Sequence, residues 1–147
     1  EELVAYGDYT SVFGTPEEDI LDVTGTKNLV LAGAGNDTVN VSHGNNRIYG
    51  DSGDDAFYLG TGDYVVGGEG DDQFWVADTE LPDTANRIAD FELDSDVIGF
   101  GNLGISFEDL AIVQDGDNTL IALEEKTAAI LTNVDANSLD ADNFAFN

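Results

Sequence analysis

Three stretches decide how this chain folds. Residues 32–40 read A-G-A-G-N-D-T-V-N, residues 50–58 read G-D-S-G-D-D-A-F-Y, and residues 67–75 read G-G-E-G-D-D-Q-F-W. Each sets a glycine-rich turn before an acid, a spacer and a large apolar residue. Working outward, the apolar residues Leu3, Val12, Leu21, Val30, Val39, Ile48 and Phe57 recur every nine residues, and Val65 and Phe74 continue the series after one interval of eight. Two residues before each, from Leu21 on, stand Asp19, Asn28, Asp37, Asn46, Asp55, Asp63 and Asp72. A helix would space its apolar residues by three and four, and a simple strand by two. A nine-residue beat is the mark of a solenoid built from one turn and one short strand per unit.

Glycines let six residues wrap tightly, and the acid or amide closes the turn with an oxygen. The following three residues form a minimal strand whose middle side chain faces inward. Two units then make one coil of 18 residues. One sheet is expected to hold Leu21, Val39, Phe57 and Phe74, and the other Val12, Val30, Ile48 and Val65. No coil buries enough surface to fold alone, so stability has to come from stacking.

The two edges of such a stack differ. One carries Asp19, Asp37, Asp55 and Asp72 with most of the glycines, and the other carries Asn28, Asn46 and Asp63 with Lys27 and His43 in its turns. A neutral amide and a nearby lysine oppose a cation, so cation binding is expected on the Asp edge. Calcium accepts six to eight hard oxygens, backbone carbonyls included, in flexible geometry. Zinc prefers His or Cys; the chain has one His and no Cys.

The units resemble the RTX calcium-binding nonapeptide G-G-x-G-x-D-x-U-x, a motif tied to parallel β-helices of that family. The resemblance implies an all-β, right-handed parallel β-roll over residues 1–76, best formed over 32–75. It also implies a ligand pattern: one turn gives its Asp and its second and fourth carbonyls, and the next turn gives its Asp and its first and third. Carried over, one ion would lie among Gly33, Gly35, Asp37, Gly50, Ser52 and Asp55. A second would lie among Asp51, Gly53, Asp55, Gly67, Glu69 and Asp72. A third set, Thr15, Glu17, Asp19, Ala32, Ala34 and Asp37, departs from the motif because Pro16 and Glu17 replace x and Gly.

After Trp75 the beat is lost. Residues 87–100 resemble the segment that follows the repeats in serralysin-type proteins, where acids matching Asp90 and Asp96 hold calcium. Residues 77–147 are expected to form a small antiparallel β cap, with a short helical turn at 107–110 and strands at 111–113, 119–123, 128–131 and 144–146. The acid-then-aromatic ending also resembles type I secretion signals.

The formal charge is −27, from 31 acids against 4 Lys and Arg. Such a surface repels nucleic acid and anionic membrane, and no apolar run is long enough to span a bilayer. There is no H-E-x-x-H, no G-K-[ST], and no cysteine nucleophile. The chain therefore reads as non-catalytic, with any catalytic domain lying outside it and an upstream domain of a larger protein preceding it. The resemblance implies a calcium-binding structural module of a secreted or cell-surface, bacterial-type extracellular protein that folds on binding Ca2+ outside the cell. Its alternatives are an accessory module of a secreted protease, lipase or polysaccharide-modifying enzyme, and the terminus of a surface-layer protein or adhesin.

Overall fold

The computed structural model describes all 147 residues. The strands are β1 (Glu2–Tyr6), β2 (Ser11–Phe13), β3 (Ile20–Thr24), β4 (Leu29–Ala34), β5 (Thr38–Ser42), β6 (Arg47–Ser52), β7 (Ala56–Tyr58), β8 (Tyr64–Glu69), β9 (Gln73–Asp78), β10 (Asn86–Ile88), β11 (Val97–Gly101), β12 (Ala111–Asp115), β13 (Asn118–Leu123), β14 (Lys126–Leu131) and β15 (Phe144–Phe146). From β1 to β11, alternate strands go to opposite sheets. One sheet runs β1-β3-β5-β7-β9-β11-β15, and the other runs β12-β13-β14-β10-β8-β6-β4-β2. The molecule is a parallel β-roll.

The nine-residue beat becomes two columns of side chains packed between the sheets. Leu21, Val39, Phe57, Phe74 and Ile98 stand opposite one another in the first sheet. Val12, Val30, Ile48, Val65, Ile88 and Leu131 do so in the second. Nearly all are completely buried. The Phe57 and Phe74 rings stack with centroids 5.2 Å apart and planes 10° apart. Truncating Phe57 to alanine leaves a ring-sized hole between sheets tied by backbone ladders, which cannot close around it. Phe57→Ala is expected to cost about 3–5 kcal/mol in denaturant unfolding of the calcium-loaded protein. Tyr49→Ala, on the outer face of β6, should cost far less.

The parallel order runs on beyond residue 76. β10 pairs with β8, β11 with β9, and β15 with β11, all parallel. The nonapeptide turns are replaced by longer loops, but Asn86 still precedes inward Ile88 by two residues, and Asp96 precedes Ile98 by two. The inward apolar residue and the Asx before it are enough to extend both columns by one more coil. Antiparallel pairing between strands is confined to β12-β13-β14, which joins the roll through β14; a single antiparallel bridge links Asp78 and Glu80. At the opposite end, Val4, Tyr6, Tyr9 and Phe13 are exposed, so the first coil carries four of the eight large exposed apolar side chains, with Ile20 at the start of β3 beside them.

Candidate metal centre

The turns on the Asp edge connect second-sheet strands to first-sheet strands: β4 to β5, β6 to β7, and β8 to β9. Each ends in a buried aspartate, and successive aspartates are linked along the roll. The Asp19 N–H donates to Asp37 Oδ1 at 2.8 Å, Asp37 N–H to Asp55 Oδ1 at 2.8 Å, Asp55 N–H to Asp72 Oδ1 at 2.9 Å, and Asp72 N–H to Asp96 Oδ1 at 3.0 Å. One carboxylate oxygen per turn is thereby satisfied.

The other oxygen is not. Oδ2 of Asp37, Asp55 and Asp72 is buried with no hydrogen-bond partner, and no cationic side chain pairs with any of them. A buried anion lacking partners is costly. Accordingly, desolvation pushes the Asp55 and Asp72 carboxyls up to about 7 and raises that of Asp37. Three unpartnered carboxylate oxygens in a column on one edge are suited to a cation.

Backbone oxygens crowd the same edge. A Cβ built on Gly50 would stand 2.3 Å from Asp55 Oδ2 and 2.3 Å from the Gly67 carbonyl oxygen. Asp51, at the second turn position, has φ +88, where the equivalent Gly33 and Gly68 have +109 and +99. The Ser52 and Glu69 carbonyls accept the N–H groups of Gly35 and Gly53 at 2.9 and 2.8 Å, and each keeps a second lone pair. Nowhere do three His, Cys, Asp or Glu side chains converge. An ion here has to draw much of its shell from carbonyls, which suits calcium and not zinc.

The flanking acids are held differently. Asp19 Oδ2 accepts from the Thr15 N–H and hydroxyl, while its Oδ1 lies 3.0 Å from the Glu1 ammonium. The Thr15 backbone N–H foremost holds its carboxyl below the usual range against the cost of burial. At the other end, Asp90 accepts from the N–H groups of Gly67 and Gly68, both at 2.8 Å. Asp96 Oδ2 accepts from Glu92 N–H at 2.8 Å, so both oxygens of both lower acids are already bonded. Asp96 is still pushed up to about 7 by desolvation.

The other edge repeats the ladder without unpartnered carboxylate oxygens. Thr10 N–H donates to Asn28 Oδ1, Asn28 N–H to Asn46 Oδ1, Asn46 N–H to Asp63 Oδ1, and Asp63 N–H to Asn86 Oδ1, at 2.7 to 2.9 Å. Asp63 Oδ2 accepts from Gly60 N–H at 2.8 Å. The one unpartnered buried side-chain atom here is Asn28 Nδ2, a donor, which repels a cation. The ladder itself escapes a reading by composition, though its signal is present: an Asx two residues before every inward apolar residue, including Asn86 and Asp96.

These carboxyls set a pH dependence for the metal-free chain. The folded values of about 7 for Asp55, Asp72 and Asp96 lie above the ordinary value of 3.8 for an aspartate. The folded state therefore holds more protons between those limits, and stability falls as pH rises through 7. Without calcium, β-structure circular dichroism is expected to be stronger at pH 5 than at pH 8. Saturating calcium should flatten the difference.

Comparison with known proteins points the same way. The family model for the RTX calcium-binding nonapeptide repeat (4 copies) matches residues 13–42, 31–66 and 62–77. The chain is similar to the solution structure of the AlgE6R3 subunit from the Azotobacter vinelandii mannuronan C5-epimerase, with 24% identity and a TM-score of 0.50, covering 97% of this chain and 78% of that one. The AlgE6R2 subunit of that epimerase gives 20% identity and a TM-score of 0.50 over 99% of this chain and 92% of that one. The crystal structure of the extracellular lipase LipA from Serratia marcescens gives 13% identity and a TM-score of 0.49, covering 96% of this chain and 39% of that one. No curated protein matches the sequence.

Proposed function

Residues 13–77 of this chain are RTX calcium-binding nonapeptide repeats, and from that premise we propose that the chain is a non-catalytic, calcium-folded module of a secreted or cell-surface protein. The observation that carries this reading is the column of buried, partnerless Oδ2 atoms on Asp37, Asp55 and Asp72. The two main ligand sets are Gly33, Gly35, Asp37, Gly50, Ser52 and Asp55, and Asp51, Gly53, Asp55, Gly67, Glu69 and Asp72. Bound calcium supplies the positive charge that this edge lacks. Asp90 and Asp96 accept one backbone N–H at every oxygen, so they anchor the last turn, and each oxygen keeps a second lone pair for a further, weaker ion site. Asp19 is a weaker candidate, because the Thr15 N–H and hydroxyl already engage its Oδ2 and its turn departs from the motif at Pro16 and Glu17.

The mechanism is ion-coupled folding. At low calcium the 31 acids repel and the edge carboxylates resist burial, which keeps the chain loose. In a calcium-rich medium the column becomes neutral and the coils close on one another. That order suits a protein exported unfolded and closed outside the cell, with the antiparallel β12-β13-β14 unit capping a roll that runs through β10 and β11 and the terminal aromatics serving type I secretion. The exposed Tyr6, Tyr9 and Phe13 on the first coil support continuity with an upstream domain. A catalytic partner such as a hydrolase or polysaccharide-modifying enzyme fits there.

The test is a calcium titration followed by far-ultraviolet circular dichroism. A sigmoidal gain of β-structure reversed by chelator is expected, with magnesium a poor substitute. A spectrum indifferent to both calcium and chelator would overturn the reading.

A further inference from the structure

We propose that the outer face of the first sheet carries a subsite for a neutral sugar, centred on Tyr58 and Asn40. This goes beyond the calcium reading, since the groove lies on a sheet face and uses none of the proposed metal ligands.

Register puts Asp22, Asn40, Tyr58, Trp75 and Gly99 side by side on successive strands. The Tyr58 and Trp75 rings are nearly coplanar in orientation, 5° apart with centroids at 6.1 Å. Trp75 is closed on its far side by Gly99, where a built Cβ would stand 2.3 Å from the indole. The stack is thus pinned at one end. At its other end the row shortens abruptly from a phenol to the amide of Asn40, and a groove of about 360 Å³ opens beside Tyr58, which remains 42% exposed. That volume is at the lower end of the range for small-molecule pockets, about 300–1,000 Å³.

The groove pairs an aromatic wall with hydrogen-bonding groups that have capacity to spare. Asn40 Nδ2 donates to Asp22 Oδ1 at 2.5 Å, which orients both side chains and leaves the amide oxygen, the second amide hydrogen and Asp22 Oδ2 for a ligand. Ser42 Oγ donates to Thr24 Oγ1 at 3.2 Å, adding a pair of hydroxyls to the lining. An aromatic surface next to a fixed carboxylate, amide and hydroxyl set suits a pyranose, which presents C–H groups on its face and hydroxyls around its edge. Charge decides which kind. The lining contains Asp22 and Asp78 and no Lys or Arg, within a chain of net charge −27, so uronates and sulfated sugars are repelled.

Trp75 is the chain's single tryptophan and reports on the groove directly. The calcium-loaded full chain is titrated with cellohexaose, xylohexaose and mannohexaose, with hexaguluronate and spermidine as the charged comparators, while circular dichroism confirms the fold. At least one neutral hexasaccharide is expected to change Trp75 fluorescence saturably, with an affinity unaltered by added salt. Tyr58→Ala and Asn40→Ala should each weaken it about tenfold, the loss of one good contact, without altering the calcium titration. No response to any neutral sugar by the folded protein overturns the proposal. So does a response to spermidine alone that disappears with salt, which would make the groove a cation site, or preferential binding of hexaguluronate. A failed calcium titration with retained sugar binding would instead count against the calcium reading alone.

Discussion

Asp55→Ala is expected to raise the calcium midpoint for folding more than any other single substitution on the acidic edge. Asp55 belongs to both of the proposed ligand sets, so its loss is expected to weaken both, while Asp72→Ala weakens mainly one. Extracellular calcium modules bind with a Kd of about 10⁻⁴–10⁻³ M, so each ion contributes only about 1 kcal/mol at millimolar calcium. The structure adds a second cost. Asp55 Oδ1 is the acceptor for the buried Asp37 N–H, and removing it orphans that donor for about 1–3 kcal/mol more. Asp55→Asn separates the two effects, because the amide oxygen keeps the acceptor while the charge is lost. The expected order of midpoint shifts is Asp55→Ala, then Asp55→Asn and Asp72→Ala, then Asn46→Ala. Equal shifts for Asp55→Ala and Asn46→Ala would show that the acidic edge has no special part in calcium binding.

Gly50→Ala should be comparably damaging for a different reason. Gly50 is not in the left-handed region, so alanine faces no backbone strain there. It faces a lack of room. The new methyl would stand 2.3 Å from Asp55 Oδ2, 2.3 Å from the Gly67 carbonyl oxygen and 2.9 Å from Phe57 Cζ. Two of these belong to a buried carboxylate and a laddered backbone, neither of which can give way without opening the coil. A loss of about 3 kcal/mol, the upper end of overpacking costs, is expected in denaturant unfolding at saturating calcium. Gly104→Ala is the contrast. Its φ is +66 but nothing lies within 4 Å, so strain alone should cost about 1 kcal/mol.

The inward columns were readable from the sequence because a solenoid repeats its register: Leu21, Val39, Phe57 and Phe74 could be assigned to one sheet by counting alone. The asymmetry of the edges was readable too, since Asn28 and Asn46 differ from Asp37 and Asp55 in charge. What counting by nine could not show was the coil formed by β10 and β11. Its turns are long and lack the glycines, and only the Asx-x-apolar signature at Asn86 and Asp96 marks it. The division of labour within the acids was also hidden. Asp72 and Asp96 look alike in sequence, but a neighbouring loop supplies Glu92 N–H to Asp96, and nothing supplies a proton donor to Asp72 Oδ2. That distinction depends on a loop conformation that no periodicity encodes.

The side-chain ladder has a direction. Each coil offers its Asx oxygen to the coil before it and its own Asx N–H to the coil after it, on both edges. A coil is therefore a module with one plug and one socket, and its removal brings matching parts together. Excising residues 37–54 would join Asn36 to Asp55 and present Asp55 Oδ1 to the Asp19 N–H, leaving neither ladder with a broken link. A gene encoding such a roll can lengthen by tandem duplication or shorten by unequal crossing-over in steps of one coil, with the cap unchanged at the end.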